Sequence, residues 1–157
     1  MAGLEVGNEA PDFTLLESPG KSVTLSEELQ KGPVVLVFYP ADFTSVCQEE
    51  LCRFRDALTD FNNLGSNVLG ISVDGIFSHK AFKEANDIDF PLLSDWDKTV
   101  IKDYDIVQEV FVGMKKVAKR SVFVVDVDMT IVYAWVSEDP GKLPPFEEVR
   151  MAVTKLA

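Results

Sequence analysis

The sequence predicts an α/β fold with a mixed central β-sheet and helices on both faces. Three observations predict it. Two continuous apolar runs rich in β-branched residues, 33–39 and 67–73, read as fully buried strands. A stretch of helical periodicity separates them, which makes their pairing parallel. Two further runs, 121–126 and 130–136, are joined by a tight turn and predict an antiparallel hairpin, with a terminal helix after it.

The elements follow in chain order. Residues 6–31 are turn-rich, with a possible edge strand at 11–15 and a turn at 18–21. Ser26 to Leu29 reads as a short capped helical turn. The run 33–39 is the central strand, and Pro40 ends it. Apolar Val46, Leu51, Phe54, Leu58 and Phe61 then predict a helix from about 45 to 62. After the second strand, Ser78 is a candidate cap for a helix to about 85. A short extended piece covers 90–95, and another helix 97–104. The hairpin follows. Pro144 or Pro145 opens the last helix, with Phe146, Val149, Val153 and Leu156 on one face. This order, βαβα then hairpin and helix, matches a thioredoxin-like architecture.

The 157 residues suit a single domain over 1–157. With 46% apolar residues, a substantial core can form, which excludes wholesale disorder. No window approaches the apolar length of a membrane span. The first six residues lack the basic start and apolar stretch of a secretory signal, so the expected compartment is the cytosol. A net charge of −11 argues against nucleic acid and anionic membrane as partners. The densest basic cluster, Lys115-Lys116 and Lys119-Arg120, is too small for a phosphate-backbone footprint.

The segment 39–52, Tyr-Pro-Ala-Asp-Phe-Thr-Ser-Val-Cys-Gln-Glu-Glu-Leu-Cys, holds both cysteines of the chain. Cys47 falls in the first turn of the helix that follows a buried strand. Unpaired backbone N–H groups and the helix dipole favour a thiolate there and would lower its pKa. The competing reading makes Cys47 and Cys52 small core residues. Two cysteines and one histidine are too few for a closed zinc site, and the C-x4-C spacing is not that of a C-x-x-C oxidoreductase.

Pro40-x3-Thr44-x2-Cys47 matches the peroxiredoxin motif P-x3-T-x2-C. Arg120, in the segment 119–126, matches the family's second arginine segment, R-x-x-F-V-[IV]-D. Residues 7–13 resemble its G-x-x-A-P-D-F start, and residues 90–95 its F-P-L-L-S-D segment. The resemblance covers nearly the whole chain, in order. It is nearest the bacterioferritin-comigratory (Q-type) members and the alkyl hydroperoxide reductase E type. The segment 43–48 is similar to the E type, while Cys52 sits where many Q-type members carry a resolving cysteine. The sequence ends without the cysteine-bearing extension of the typical two-cysteine type.

The resemblance implies a thiol peroxidase reducing hydrogen peroxide and organic hydroperoxides, with no metal, haem or flavin. It implies Cys47 as nucleophile, with Thr44, Arg120 and Pro40 around it and Glu50 as a supporting acid that orients Arg120 or the loop. It also implies Cys52 as the resolving residue and a thioredoxin-like or glutaredoxin-like reductant. Monomers and homodimers both occur among such relatives. The alternatives are a one-cysteine peroxidase served by an external thiol, and a redox sensor or holdase on the same fold.

Physical chemistry fits these assignments. The leaving oxygen needs donors, which the Thr44 hydroxyl and the Cys47 N–H can supply, and Arg120 brings a permanent positive charge. Each residue also has a plainer reading: Pro40 as a strand stop, Thr44 as a cap, Arg120 as a surface charge. Five residues along an intact helix separate the Cys47 and Cys52 Cα atoms by roughly 8–9 Å, beyond disulfide reach, so a bond between them requires local unwinding. His79 is expected to be solvated, Trp96 and Trp135 to serve packing, with an interface as the alternative for Trp96, and the acidic residues to form a solvated face.

Overall fold

The computed structural model describes residues 3–157. Seven strands form one sheet. They are β1 (Thr14–Ser18), β2 (Lys21–Thr24), β3 (Val34–Phe38), β4 (Asn67–Ser72), β5 (Leu92–Ser94), β8 (Ser121–Val125) and β9 (Ile131–Val136). Their spatial order is β2-β1-β5-β4-β3-β8-β9. The β3–β4 and β4–β5 pairs are parallel, and the rest are antiparallel. A separate two-stranded ribbon joins β6 (Val107–Phe111) to β7 (Met114–Ala118). The helices are α1 (Leu25–Glu28), α2 (Ser45–Asn63), α3 (Ile76–Asn86), α4 (Thr99–Asp103) and α5 (Phe146–Thr154).

β3 and β8 are neighbouring interior strands, and every residue of both is buried. Their alternate side chains feed two cores. On one face Leu36, Phe38, Leu69, Ile71 and Phe123 pack against Leu25 of α1, Val100 and Ile101 of α4, and Tyr104. Phe123 meets Phe38 edge-on at 5.9 Å and Tyr104 at 5.4 Å, pairs that add about 0.5–1.5 kcal/mol each beyond burial. On the other face Val35, Val37, Tyr39, Val68 and Val122 pack against Leu51, Phe54 and Phe61 of α2, Phe82 of α3, and Val149 and Val153 of α5. Cys47 belongs to this second core. The expected mixed sheet with helices on both faces is therefore what forms.

Several details depart from expectation. The first strand starts at Thr14 rather than residue 11, and β2 occupies what reads as the end of a turn. The β6–β7 ribbon lies where no strand was expected. Its signal is the Val112-Gly113 corner, where both residues have positive φ (43° and 87°), as a two-residue hairpin turn requires. Ser78 does not cap α3, which starts at Ile76 after Gly75. α4 spans only Thr99–Asp103, and the Asp95 carboxylate accepts from the Val100 and Ile101 N–H groups at its start, at 3.2 and 2.9 Å. Past the end of α2, Gly65 turns the chain at φ +84°, a conformation that costs glycine little.

Candidate active site

The site forms at the carboxyl end of β3. Pro40 is buried, and the 40–44 loop carries the chain from the sheet into α2. Thr44 stands at the N-cap position in extended conformation, but its side chain makes no cap bond; its hydroxyl donates to the Ala41 carbonyl at 3.0 Å. The helical ladder begins with the Gln48 N–H bonded to the Thr44 carbonyl. The Cys47 N–H lies ahead of that first rung, among the unpaired donors of the helix start.

Arg120 reaches this point through strand register. Because β8 runs antiparallel to β3, Ser121 is paired with Phe38. Arg120, one residue earlier, therefore lies beside the carboxyl end of β3. It is 1% exposed, which overturns its plainer reading as a surface charge and removes it from the basic cluster. All three donor nitrogens are used. Nη2 donates to Cys47 Sγ at 3.2 Å, Nη1 to Glu50 Oε1 at 2.7 Å, and Nε to the Pro140 carbonyl at 2.9 Å. A planar fork suits three acceptors at fixed angles; a lysine could not replace it.

Glu50 is one turn beyond Cys47 on α2 and wholly buried. Burial pushes its carboxyl up to about 8, against the pull of Arg120. Its Oε2 has no partner among the described residues. Burial also works against the charge of Arg120, but Glu50 and Cys47 outweigh it and hold the guanidinium above its ordinary value. For Cys47 the balance goes the other way. Burial raises the thiol, while Arg120, the Thr44 hydroxyl and the Ala41 backbone lower it, and burial exceeds them. This reverses the lowering expected from the helix start alone. The donors are in place; the missing contribution is solvent, because the residue is fully buried.

Cys52 faces elsewhere. It is half-buried, with Sγ 3.8 Å from Asn86 Oδ1 on α3. Both cysteines are free thiols, and α2 runs unbroken through them.

The structure overturns the expectation for His79. It is 1% exposed, not solvated. Its Nδ1 lies 2.8 Å from Asp42 Oδ2 and its Nε2 3.0 Å from the Leu93 carbonyl. Asp42 and Glu50 are likewise buried, so the acidic residues do not all form a solvated face. Periodicity placed none of this, because one buried polar residue in an amphipathic helix leaves no pattern. The phased signal was there for His79 only in its spacing from Phe82, three residues on and on the same face. Trp135 packs against the second core as expected, whereas Trp96 is 69% exposed.

A redox-capable sulfur at a helix start, an arginine fork on that sulfur and a sheet of this topology define a thiol-dependent peroxidase of thioredoxin-like fold. Residues 6–134 match the AhpC/TSA family, and the chain belongs to that family. It is 39% identical over 134 residues to a Coxiella burnetii protein designated peroxiredoxin bcp, covering 84% of this chain and 88% of that one. It is 42% identical over 111 residues to the chloroplast peroxiredoxin Q of Suaeda salsa, covering 71% of this chain and 51% of that one. Among solved structures it resembles peroxidoxin BcpB of Mycobacterium tuberculosis, at 31% identity and a TM-score of 0.87, covering 98% and 99% of the two chains. PrxQ of Xylella fastidiosa superposes at a TM-score of 0.86 with 29% identity, covering 99% and 98%. The resemblance to bacterioferritin-comigratory and Q-type peroxiredoxins therefore holds. Among the described residues, no helix is long and apolar enough to cross a membrane.

Proposed function

We propose that Cys47 is the peroxidatic residue of a single catalytic domain spanning 1–157, acting on hydrogen peroxide and small organic hydroperoxides. The observation that carries this is the Arg120 Nη2 donor 3.2 Å from the Cys47 sulfur, both side chains being buried. The thiolate attacks one peroxide oxygen in line. The O–O bond breaks, Cys47 becomes a sulfenic acid, and the other oxygen leaves as hydroxide or alkoxide and takes a proton. A peroxide seated against Cys47 replaces apolar surroundings with polar ones, which relieves the burial that holds the thiol up. Thr44 and the Cys47 N–H donate to the oxygens as charge develops. Pro40 walls the pocket. Glu50 is a positioning residue that keeps the Arg120 fork aimed. Because burial resists a second negative charge on Glu50, the guanidinium field is left for the sulfur.

Cys52 is the resolving thiol in this reading. It condenses with the sulfenic acid to a disulfide and releases water. A thioredoxin-like or glutaredoxin-like dithiol then reduces the bond. The enzyme works in the cytosol as a monomer or homodimer. The intact α2 and the separate contacts of the two thiols favour a second reading, in which an external thiol resolves Cys47 directly. A sensor or holdase on this fold would react once rather than turn over.

The test is intact mass after one equivalent of hydrogen peroxide, for the reduced chain and its Cys52→Ser variant. A loss of about 2 Da in the first and a gain of about 16 Da in the second is expected. A gain of about 16 Da in both transfers resolution to an external thiol. No change in either removes Cys47 from its role. Sustained peroxide consumption with a dithiol distinguishes the enzyme from a sensor.

A further inference from the structure

We propose that His79 is a positioning residue: together with Asp42 it forms a buried, hydrogen-bonded clamp that holds the 40–44 loop, and with it Thr44, over the Cys47 sulfur. The functional consequence rests on the reading of Cys47 given above; the clamp itself does not.

Asp42 lies two residues after Pro40 and two before Thr44, in the middle of the loop. Its carboxylate accepts three donors: the Tyr39 hydroxyl at 2.7 Å, the Ser78 hydroxyl at 2.8 Å and His79 Nδ1 at 2.8 Å. Its backbone N–H donates to Asp74 Oδ2 at 2.8 Å, and that oxygen also accepts from the Ser72 hydroxyl at 2.6 Å. The ends of β3 and β4 and the first turn of α3 thus grip one loop residue. The next residue, Phe43, has φ +63°. A bulky side chain in the left-handed region persists only where its surroundings over-determine it. Asp42 fixes the backbone on one side of Phe43, and the Phe43 ring meets Phe82 edge-on at 5.1 Å.

The proton count follows from the partners. The Leu93 carbonyl can only accept, so His79 Nε2 carries a proton. Asp42 Oδ2 faces Nδ1 at hydrogen-bond distance, so a second proton lies between them. The groups facing the ring are Asp42 and Tyr39 from the end of β3, Asp74 from the end of β4, Ser78 from its own helix and the Leu93 carbonyl from β5. Removing the ring breaks both of its contacts at a site where water cannot substitute.

His79 is the only histidine in the chain, so its ring nitrogens give unambiguous NMR signals. We expect both nitrogens to be held in hydrogen bonds in the folded protein, giving slowly exchanging ring N–H signals. In His79→Gln, amide-exchange protection factors over residues 41–46 should be lower by about tenfold or more. In a Cys52→Ser background, the rate of Cys47 with hydrogen peroxide should fall in parallel. Ring N–H protons that exchange freely, or loop protection equal in the variant and the parent, would overturn the proposal. Should His79→Gln not fold, Asp42→Asn decides: loop protection equal to the parent's overturns it. A parent chain that leaves peroxide untouched refutes the peroxidase roles, while ring N–H exchange and loop protection still decide the clamp.

Discussion

Replacing Arg120 separates its chemical role from its structural one. Arg120→Met removes three donors at once, from Cys47, Glu50 and the Pro140 carbonyl. Glu50 then has neither oxygen bonded, inside a fully buried site. Breaking a buried pair by deleting one partner costs about 3–5 kcal/mol. Because burial already pushes Glu50 up to about 8, its carboxyl can take a proton, and the loss should sit near the low end, about 3 kcal/mol. Arg120→Met combined with Glu50→Leu replaces the pair by apolar groups of similar size, which is often neutral for stability, so most of that loss should return. Reactivity should not return. Losing a charged donor aimed at the reacting centre costs on the order of 10²–10³ in rate. Urea unfolding measures the first quantity. Single-turnover reaction with hydrogen peroxide in a Cys52→Ser background measures the second, and the alkylation of Cys47 by iodoacetamide should move its pH limb upward in both variants. If the double variant regains peroxide reactivity along with stability, the reasoning is wrong: Arg120 would then matter only as the neutraliser of Glu50.

The remaining predictions concern the other groups around the sulfur. Glu50 has a raised folded value, so it stabilises the fold in its protonated form; that contribution is complete below about 4.5 and is lost as pH rises through about 8. Glu50→Gln should flatten stability across that window, and an unchanged slope in urea titrations between pH 5 and 8 would contradict the burial argument. Thr44→Val removes the hydroxyl bonded to the Ala41 carbonyl and should slow peroxide reaction about 10²-fold or more with little change in unfolding midpoint, while Thr44→Ser should recover most of the rate. Formation of a Cys47–Cys52 disulfide should abolish amide-exchange protection over residues 45–53, since α2 cannot stay wound across the bond; protection that survives oxidation would rule the intrahelical bond out. Phe123→Ala, which deletes a ring between Phe38 and Tyr104, should cost about 3–5 kcal/mol in denaturant unfolding and leave the Cys47 alkylation profile alone.

Much of the molecule was legible because it is encoded at short range. Period-two and uninterrupted apolar runs identify β3, β4, β8 and β9, and the 3.6 period identifies α2 and α5, since burial on one face leaves a repeating mark in the residues themselves. The same local logic puts Cys47 in the first turn of α2, directly after a buried strand. The spacing of Pro40, Thr44 and Cys47 and the arginine segment at 120 carried the family resemblance as well. The β6–β7 ribbon was missed because its strands are short, largely exposed and charged, so neither period stands out.

What only the tertiary structure decided is which distant groups meet. Arg120 and Cys47 are 73 positions apart, and the antiparallel register of β8 on β3 is what joins them. His79 and Asp42 are 37 apart, and the parallel β3–β4 pairing followed by α3 brings them into one buried knot. A sequence reports how often a position type is buried, and by that measure a histidine, an aspartate, a glutamate and an arginine all belong outside. They are inside because each finds a partner there, and a partner set by long-range register leaves no trace in the residues beside it. The direction of the Cys47 thiol has the same origin. Arg120, Thr44 and the Ala41 backbone lower it, but the burial that outweighs them is a property of the whole packed sheet.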